Sequence, residues 1–122
     1  MDFVNKQPIY MQIADYFCEN ILKKEWKENE KIPSVREIAV LVEVNPNTAM
    51  RAYTYLQDLG IIYNKRGIGY FVAEDGYNKA LEIRKTEFVH KDLPNLFKTM
   101  ELLSIKLDEI IHLYTLQFPM TS

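Results

Sequence analysis

The 122-residue sequence has little of what several classes of protein depend on. One cysteine cannot form an internal disulfide, and with only two histidines the chain lacks the clustered ligands that metal sites need. No apolar run reaches the length of a membrane-spanning helix, and Asp2 places negative charge where a signal peptide would be basic. These absences predict a soluble, cytoplasmic protein without a membrane, metal or cofactor site.

Catalytic motifs are missing as well. Asp108 and Glu109 are adjacent and therefore point in different directions on a helix, whereas acid–base catalysis needs two groups that face one substrate. His90 and His112 have no cysteine or acidic cluster at ligand spacing, and no glycine-rich phosphate loop or nucleophile motif is present. We therefore expect that the chain is not an enzyme.

The most informative stretch that is present, residues 31–60, predicts two short helices joined by a tight turn. Ser34 and Glu37 have the spacing of a capping box, in which each side chain hydrogen-bonds the backbone N–H of the other residue, so a helix begins at Val35. We expect this helix to end near Glu43, because a second helix start follows at once.

The second start consists of Asn45, a good N-cap, and Pro46, whose missing N–H would be unsatisfied at this position in any case. This helix is expected to end at Gly60, which tolerates the left-handed conformation common at helix ends. Its apolar stripe must be buried: Ala49, Ala52, Leu56 and Leu59. Its other face carries hydrogen-bonding side chains suited to the major groove of DNA: Asn47, Thr48, Arg51, Thr54 and Tyr55.

Residues 61–73 follow with β-branched and aromatic residues on both sides of a basic centre, which predicts a β-hairpin with its tip near Lys65, Arg66 and Gly67. The positive side chains of Lys65 and Arg66 can bind phosphate, and Gly67 and Gly69 lack side chains that would hold the backbone away from DNA. A hairpin directly after a helix-turn-helix is a wing. The order of these elements predicts a winged helix-turn-helix.

The net charge of −2 is unusual for a nucleic-acid binder, because phosphate contacts need lysine and arginine. Between residues 44 and 72, however, Arg51, Lys65 and Arg66 are opposed by Asp58 alone. The alternative interpretation is a winged-helix protein–protein interaction module without specific DNA binding.

The motifs of residues 8–73 resemble the DNA-binding domain of the GntR family of bacterial transcription regulators, and the short remainder of the chain is similar to the YtrA-like subfamily. The runs that carry the resemblance are 32–39 (IPSVREIA), 44–48 (VNPNT), 56–62 (LQDLGII) and 66–72 (RGIGYFV). The resemblance implies operator contacts by Arg36, Asn45, Asn47, Thr48, Arg66, Gly67 and Gly69, to which the residues themselves add Ser34, Arg51 and Lys65.

The chain departs from this family at two positions. Met50 and Pro46 stand where many members carry an arginine, so base contacts by arginine are lost there. Arg51 is expected to replace them.

Pro8 opens a first helix that should extend to about Trp26 and cover the helix pair with an apolar stripe: Ile9, Ile13, Phe17 and Ile21. At the other end, Glu74, Asp75 and Gly76 form a polar junction. We therefore expect a mainly α fold with a small β-hairpin, in which residues 1–74 form the winged helix-turn-helix domain and residues 75–122 a short two-helix tail.

The tail carries apolar residues at alternating steps of four and three, the pattern of a helix that packs against another helix. Pro94 should kink this helix or break it, with a restart near Asp92. Two helices cannot enclose a core alone, so we expect a two-fold homodimer formed by the tail: Val89, Leu93, Leu96, Met100, Leu103, Leu107, Ile111 and Tyr114.

Two alternatives for the tail stay open. It could instead pack only on its own winged domain. A small-molecule effector, unidentified, could bind among its aromatic and methionine side chains, although such residues at helical spacing are more often plain core: Tyr77, Phe88, Phe97, Met100 and Tyr114.

The function we predict is a sequence-specific DNA-binding transcriptional regulator, a repressor that acts as a homodimer on a palindromic operator.

Overall fold

A computed structural model describes residues 7–119 of the protein. Its helices are α1 (Ile9–Leu22), α2 (Val35–Leu41), α3 (Pro46–Asp58), α4 (Gly76–Glu87), a π-helical segment (Phe88–Asp92), α5 (Leu93–Leu103) and α6 (Leu107–Gln117), and its strands are β1 (Ile62–Lys65) and β2 (Gly69–Val72). The mainly α fold with one β-hairpin is as predicted. Internal contacts divide the chain into two compact units, with the first ending at Arg84 and the second beginning at Lys85.

The predicted caps begin both helices of the helix-turn-helix. The backbone N–H of Glu37 donates to Ser34 Oγ over 3.1 Å, and the backbone N–H of Ser34 donates to Glu37 Oε1 over 2.9 Å. Asn45 Oδ1 accepts from the backbone N–H of Asn47 over 2.7 Å, with Pro46 in the first turn of α3. Gly60 follows α3 with φ 76°, in the left-handed region predicted for it.

The expected extension of α1 to Trp26 is wrong, because α1 ends at Leu22. Lys24 takes a positive φ of 62°, and the backbone N–H groups of Glu25 and Trp26 both donate to the Asn20 carbonyl, which turns the chain out of the helix. This turn brings the Trp26 ring against Phe17 at a centroid distance of 4.9 Å.

The wing is the antiparallel pair of β1 and β2, in which Ile62 pairs with Val72 and Lys65 with Gly69. At its tip the Ile68 N–H donates to the Lys65 carbonyl over 2.9 Å, and Gly67 has φ 79° at the turn position that requires a positive φ. The segment before α2 joins the outer edge of β2, where Lys31 forms a bridge with Phe71. The wing is therefore fixed to the body of the unit.

The core of the first unit lies between α1, α2, α3, the wing and the start of α4. Its largest fully buried side chains are Tyr53, Phe17, Ile21, Ile38, Leu56, Ile61, Ile62 and Val72. The Tyr53 hydroxyl donates to the Pro33 carbonyl over 2.6 Å, and burial raises the pKa of this phenol. Of the apolar stripe predicted for α3, Ala49, Ala52 and Leu56 are buried and Leu59 is half-buried, and Tyr53 is a core residue that the stripe did not include.

The predicted domain boundary at Glu74 marks a change in amino-acid composition. The two compact units of the structure divide ten residues later, after Arg84. The first part of α4 belongs to the core of the first unit: Gly76 and Ala80 are buried, and Tyr77 and Ile83 pack against that core. Residues 1–6 and 120–122 of the two predicted domains lie outside the described part of the chain.

Helical structure passes through Pro94 without a break. In a continuous α-helix the proline would leave the carbonyl of His90 unpaired and its ring would clash with it. The π-helical segment before α5 widens the backbone at this point, and Pro94 falls in the first turn of α5. The alternative of a break with a restart near Asp92 is wrong.

Apolar residues of the second unit are mostly exposed. Of the eight residues predicted to form the dimer interface, Met100 is buried, Leu93 is half-buried, and the other six are exposed. A depression of about 600 Å³ lies beside Phe97, Met100 and Leu107. Tyr77 packs on the core of the first unit, with Lys24 Nζ 5.3 Å from its ring centroid, so it is a core residue rather than part of that depression.

Candidate nucleic-acid interface

One face of α3 is exposed along the helix. It consists of Asn47, Met50, Arg51 and Thr54, which stand at positions i, i+3, i+4 and i+7 and which we call the recognition face. The opposite stripe is fixed in the core, because Ala49, Ala52, Tyr53 and Leu56 are all fully buried. Rotation of α3 about its axis is thereby prevented, and the first turns of the helix present a fixed set of side chains to solvent.

Arg51 is held by the first helix. Its guanidinium carbon lies 4.4 Å from the centroid of the Tyr10 ring, a cation–π contact, and the Tyr10 ring in turn meets Tyr55 edge-on at 6.1 Å. Tyr55, predicted on the polar face of α3, is therefore a half-buried support of this contact. The five donors of the guanidinium can still bind phosphate or base edges while its face rests on the ring.

Met50 is held from the other direction, by the wing. The Tyr70 hydroxyl of β2 donates to Met50 Sδ over 3.8 Å, and the Tyr70 ring packs on Tyr53 with the centroids 4.7 Å apart. This contact places β2 directly beside the recognition face. The wing and the exposed turns of α3 therefore lie on the same side of the first unit.

The tip of the wing is exposed at Lys65, Arg66 and Gly67. Lys65 Nζ lies 4.8 Å from the centroid of Phe71, so its stem follows the strand while its charge remains in solvent. Gly69, with φ 143°, has Lys31 beside it, and a Cβ at this position would lie 2.9 Å from the Lys31 Cε atom. A side chain at Gly69 would displace a third basic residue next to the tip.

The N-terminus of α2 carries Ser34 and Arg36, both exposed. The hydrogen bond from the Ser34 backbone N–H, together with the Ser34 side chain, lowers the pKa of the Glu37 carboxyl. Of the ten residues predicted to contact DNA, eight are exposed, while Thr48 and Gly69 are half-buried.

Sequence comparison places this arrangement in a known family. The profile described as bacterial regulatory proteins, gntR family, matches residues 9–72. The chain belongs to the GntR family. Among curated relatives, it is 34% identical to the HTH-type transcriptional repressor YtrA of Bacillus subtilis, over 84% of this chain and 78% of that protein. It is thus a YtrA-like GntR transcription regulator.

Solved structures agree with this assignment. A putative GntR-family transcriptional regulator from Bacteroides thetaiotaomicron is 44% identical and superposes with a TM-score of 0.69 over 88% of this chain and 93% of that one. AraR(DBD), solved in complex with an operator, is 26% identical with a TM-score of 0.56 over 60% of this chain and 88% of that chain. These GntR relatives are regulators rather than enzymes, in agreement with the prediction that this chain is not an enzyme.

Two further properties concern residues 7–119. None of their helices combines the length and the apolar character that crossing a membrane requires. Within that same range, His, Cys, Asp and Glu side chains do not gather in a group of three or more that could hold a metal ion.

Sequence reasoning missed the contacts of three side chains at this candidate interface: Tyr10, Met50 and Tyr70. The spacing of Met50 from Asn47 and Thr54 could have placed it on the recognition face. Tyr10 and Tyr70 had no such signal, because they reach α3 from elements that are distant in the chain.

Proposed function

We propose that this GntR-family chain is a sequence-specific repressor that acts as a homodimer on a palindromic operator, in the cytoplasm. The observation that carries the proposal is the contact between Tyr70 and Met50, because it puts the wing beside the exposed turns of α3. A duplex lying against that side would meet the recognition face in its major groove and the wing at its flank.

The predicted contacts divide into two classes. Asn47, Thr48 and Arg51 lie where a recognition helix meets base edges, so they supply sequence preference. Phosphate contacts, which give affinity without sequence preference, come from the N-terminus of α2, from the N-cap of α3 and from the wing: Ser34, Arg36, Asn45, Lys65, Arg66, Gly67 and Gly69. AraR(DBD), which has the same fold over 60% of this chain, was solved with its operator and supports this use of the fold.

Dimerisation is supported by the apolar surface of the second unit. Leu103 at the end of α5 and Leu107, Ile111 and Tyr114 on α6 each expose at least 55% of their surface, and an apolar patch of this kind is rarely left in water. A second copy offers the same face, so a two-fold contact needs no other partner. Two recognition faces would then read half-sites about 34 Å apart.

The alternative of a small-molecule effector that binds the tail concerns the second unit. Its depression beside Phe97, Met100 and Leu107 is open rather than enclosed, and Glu101 and Lys106 also line it. It has the size of a small-molecule site, but its residues overlap with the predicted dimer interface. We therefore assign it to the homodimer and propose no effector chemistry.

The test is retardation of duplexes that span the promoter of the gene's own operon by the full-length protein, at about 50 mM and about 200 mM salt. We expect a specific complex at low salt that weakens at high salt and that a scrambled duplex of equal length does not form. Absence of any complex at low salt would instead support the winged-helix protein–protein interaction module. Sedimentation of the free protein tests the homodimer separately.

A further inference from the structure

Met50 is an apolar side chain in the middle of a polar surface. It is 44% exposed, and its neighbours on the recognition face are Asn47, Arg51 and Thr54. A thioether donates no hydrogen bond and accepts only weakly, so Met50 cannot satisfy the polar edge of a base as its three neighbours can. Its exposed surface favours an apolar group.

The side chain of Met50 is also restrained, although methionine is among the most flexible residues. The Tyr70 hydroxyl donates to its sulfur over 3.8 Å. The Tyr70 ring rests on Tyr53, and the Tyr53 hydroxyl donates to the Pro33 carbonyl inside the core. Each link fixes the next, so the thioether is positioned before any ligand arrives and loses little further freedom on binding.

Its neighbour Arg51 is fixed independently. The guanidinium rests on Tyr10 of α1, whereas the Met50 sulfur contacts Tyr70 of β2. Adjacent positions on α3 are therefore held by different elements, and each can present a different chemistry to the groove.

In the major groove of unmodified DNA, the apolar group that a base pair presents at its edge is the 5-methyl of thymine. We propose that Met50 contacts the 5-methyl group of one thymine in each operator half-site, and that Tyr70 is the residue that positions its thioether. The inference rests on the proposed function. It makes Met50 a specificity-determining residue of the recognition face.

The experiment first selects bound duplexes from a randomised library with the full-length protein at low salt. Each thymine of the selected duplex is then replaced in turn by deoxyuridine, which removes only the 5-methyl group. We expect one position per half-site at which the replacement weakens binding by about fourfold, the value of one buried methyl group, and every other position to change binding little.

Three variants decide whether Met50 is responsible. Met50→Ala should bind the thymine and deoxyuridine duplexes equally at the sensitive position, whereas Met50→Leu, which remains apolar, should keep most of the discrimination. Tyr70→Phe keeps the ring on Tyr53 but loses the hydroxyl, so its discrimination should fall below that of the wild type while its binding to unrelated DNA is unchanged. If Tyr70→Phe changes only the preference for thymine over deoxyuridine, Tyr70 positions the Met50 thioether. A merely structural role would also weaken binding to unrelated DNA.

Two results would overturn the inference, and they differ from failure of the proposed function. A wild-type protein insensitive to every deoxyuridine replacement has no methyl contact to assign. Equal sensitivity in the wild type and in Met50→Ala places the methyl contact on another residue. Failure to select any duplex at low salt would remove the proposed function itself.

Discussion

In the unit that ends at Arg84, Phe17, Tyr53 and Leu56 are each 0% exposed, whereas in the unit that begins at Lys85 Leu103 is 60% exposed and Leu107 63%. Both units carry apolar residues at helical spacing. In the first unit four helices and the wing cover those residues, while in the second most of them remain at the surface of α5 and α6. Periodicity therefore identifies a face that needs covering, but it does not identify what covers it.

In the proposed function, this difference supports separate tasks for the two units. A closed core can hold α3 rigid and present the recognition face in one orientation, as base readout requires. An exposed apolar face is costly in water unless another surface covers it, so it favours association. Substitutions in the first unit should act on folding and DNA binding, and those in the second on association.

The largest effect should come from Leu56→Ala, which opens a cavity in the core of the first unit. We expect the free energy of unfolding to fall by about 2 to 5 kcal/mol. Urea denaturation followed by the fluorescence of Trp26, which packs on Phe17, measures this loss. Leu41→Ala is the matched control, because Leu41 is 64% exposed on α2 and should change stability by less than about 0.5 kcal/mol. Similar losses in both variants would contradict the closed core.

The same substitution in the second unit should act on a different quantity. Leu107→Ala removes apolar surface from both copies of the proposed interface, at about 1.5 kcal/mol per copy, so the dissociation constant of the dimer should rise about 100-fold. Sedimentation over a range of protein concentrations measures it. Leu41→Ala again serves as the control. If the wild-type protein is monomeric at every concentration, the exposed face does not mediate self-association.

DNA binding should be separable from association. Arg51→Ala should cost about 1 to 3 kcal/mol of DNA-binding free energy per half-site and relax the sequence preference. Arg66→Ala at the wing tip should weaken binding to all sequences alike. It should also reduce the slope of log binding constant against log salt concentration by about 1. Binding isotherms on the selected and on an unrelated duplex, at several salt concentrations, distinguish the two. Sedimentation should be unchanged in both variants. Equal effects on all duplexes would contradict this division of roles.

The elements that the sequence predicted well are those whose causes are local. The capping box at Ser34, the Asn45 cap and the left-handed Gly60 each depend on residues within one turn of one another, and each formed where expected. The end of α1 was missed because a lysine, Lys24, adopts the positive φ that glycine usually supplies. No composition signal marks such a residue.

Contacts between distant elements could not be predicted in the same way. Arg51 was expected to face the groove, but its stacking on Tyr10 depends on how α1 crosses α3. Met50 was noted only for the arginine it lacks, because its contact with Tyr70 requires the wing to be in place. Pro94 correctly indicated a disturbance of the helix, but the sequence did not predict that a π-helical segment would accommodate it. The side-chain contacts at the candidate site thus depend on how distant elements pack together, which the sequence pattern does not reveal.

The smallest effect should come from acid acting on the capping box of the first unit. The folded state lowers the pKa of Glu37 below its ordinary value of 4.5, chiefly through the backbone N–H of Ser34. A carboxyl with a lowered pKa stabilises the fold above its unfolded pKa, and this contribution is lost as the pH falls through the folded pKa. Glu37→Gln can keep the box but cannot ionise, so its free energy of unfolding should decline less on acidification than that of the wild type.

Urea denaturation at a series of pH values measures this difference. Ser34→Ala is the control, because it removes the hydroxyl cap, at about 1 kcal/mol, but keeps the backbone N–H that is the main cause of the lowered pKa. Most of the pH dependence should therefore survive in Ser34→Ala and be reduced in Glu37→Gln. The pH dependence that arises from Glu37 should not affect the association constant of the second unit, since Glu37 lies in the first unit. A Glu37-dependent change in association with pH would mean that the two units do not act separately.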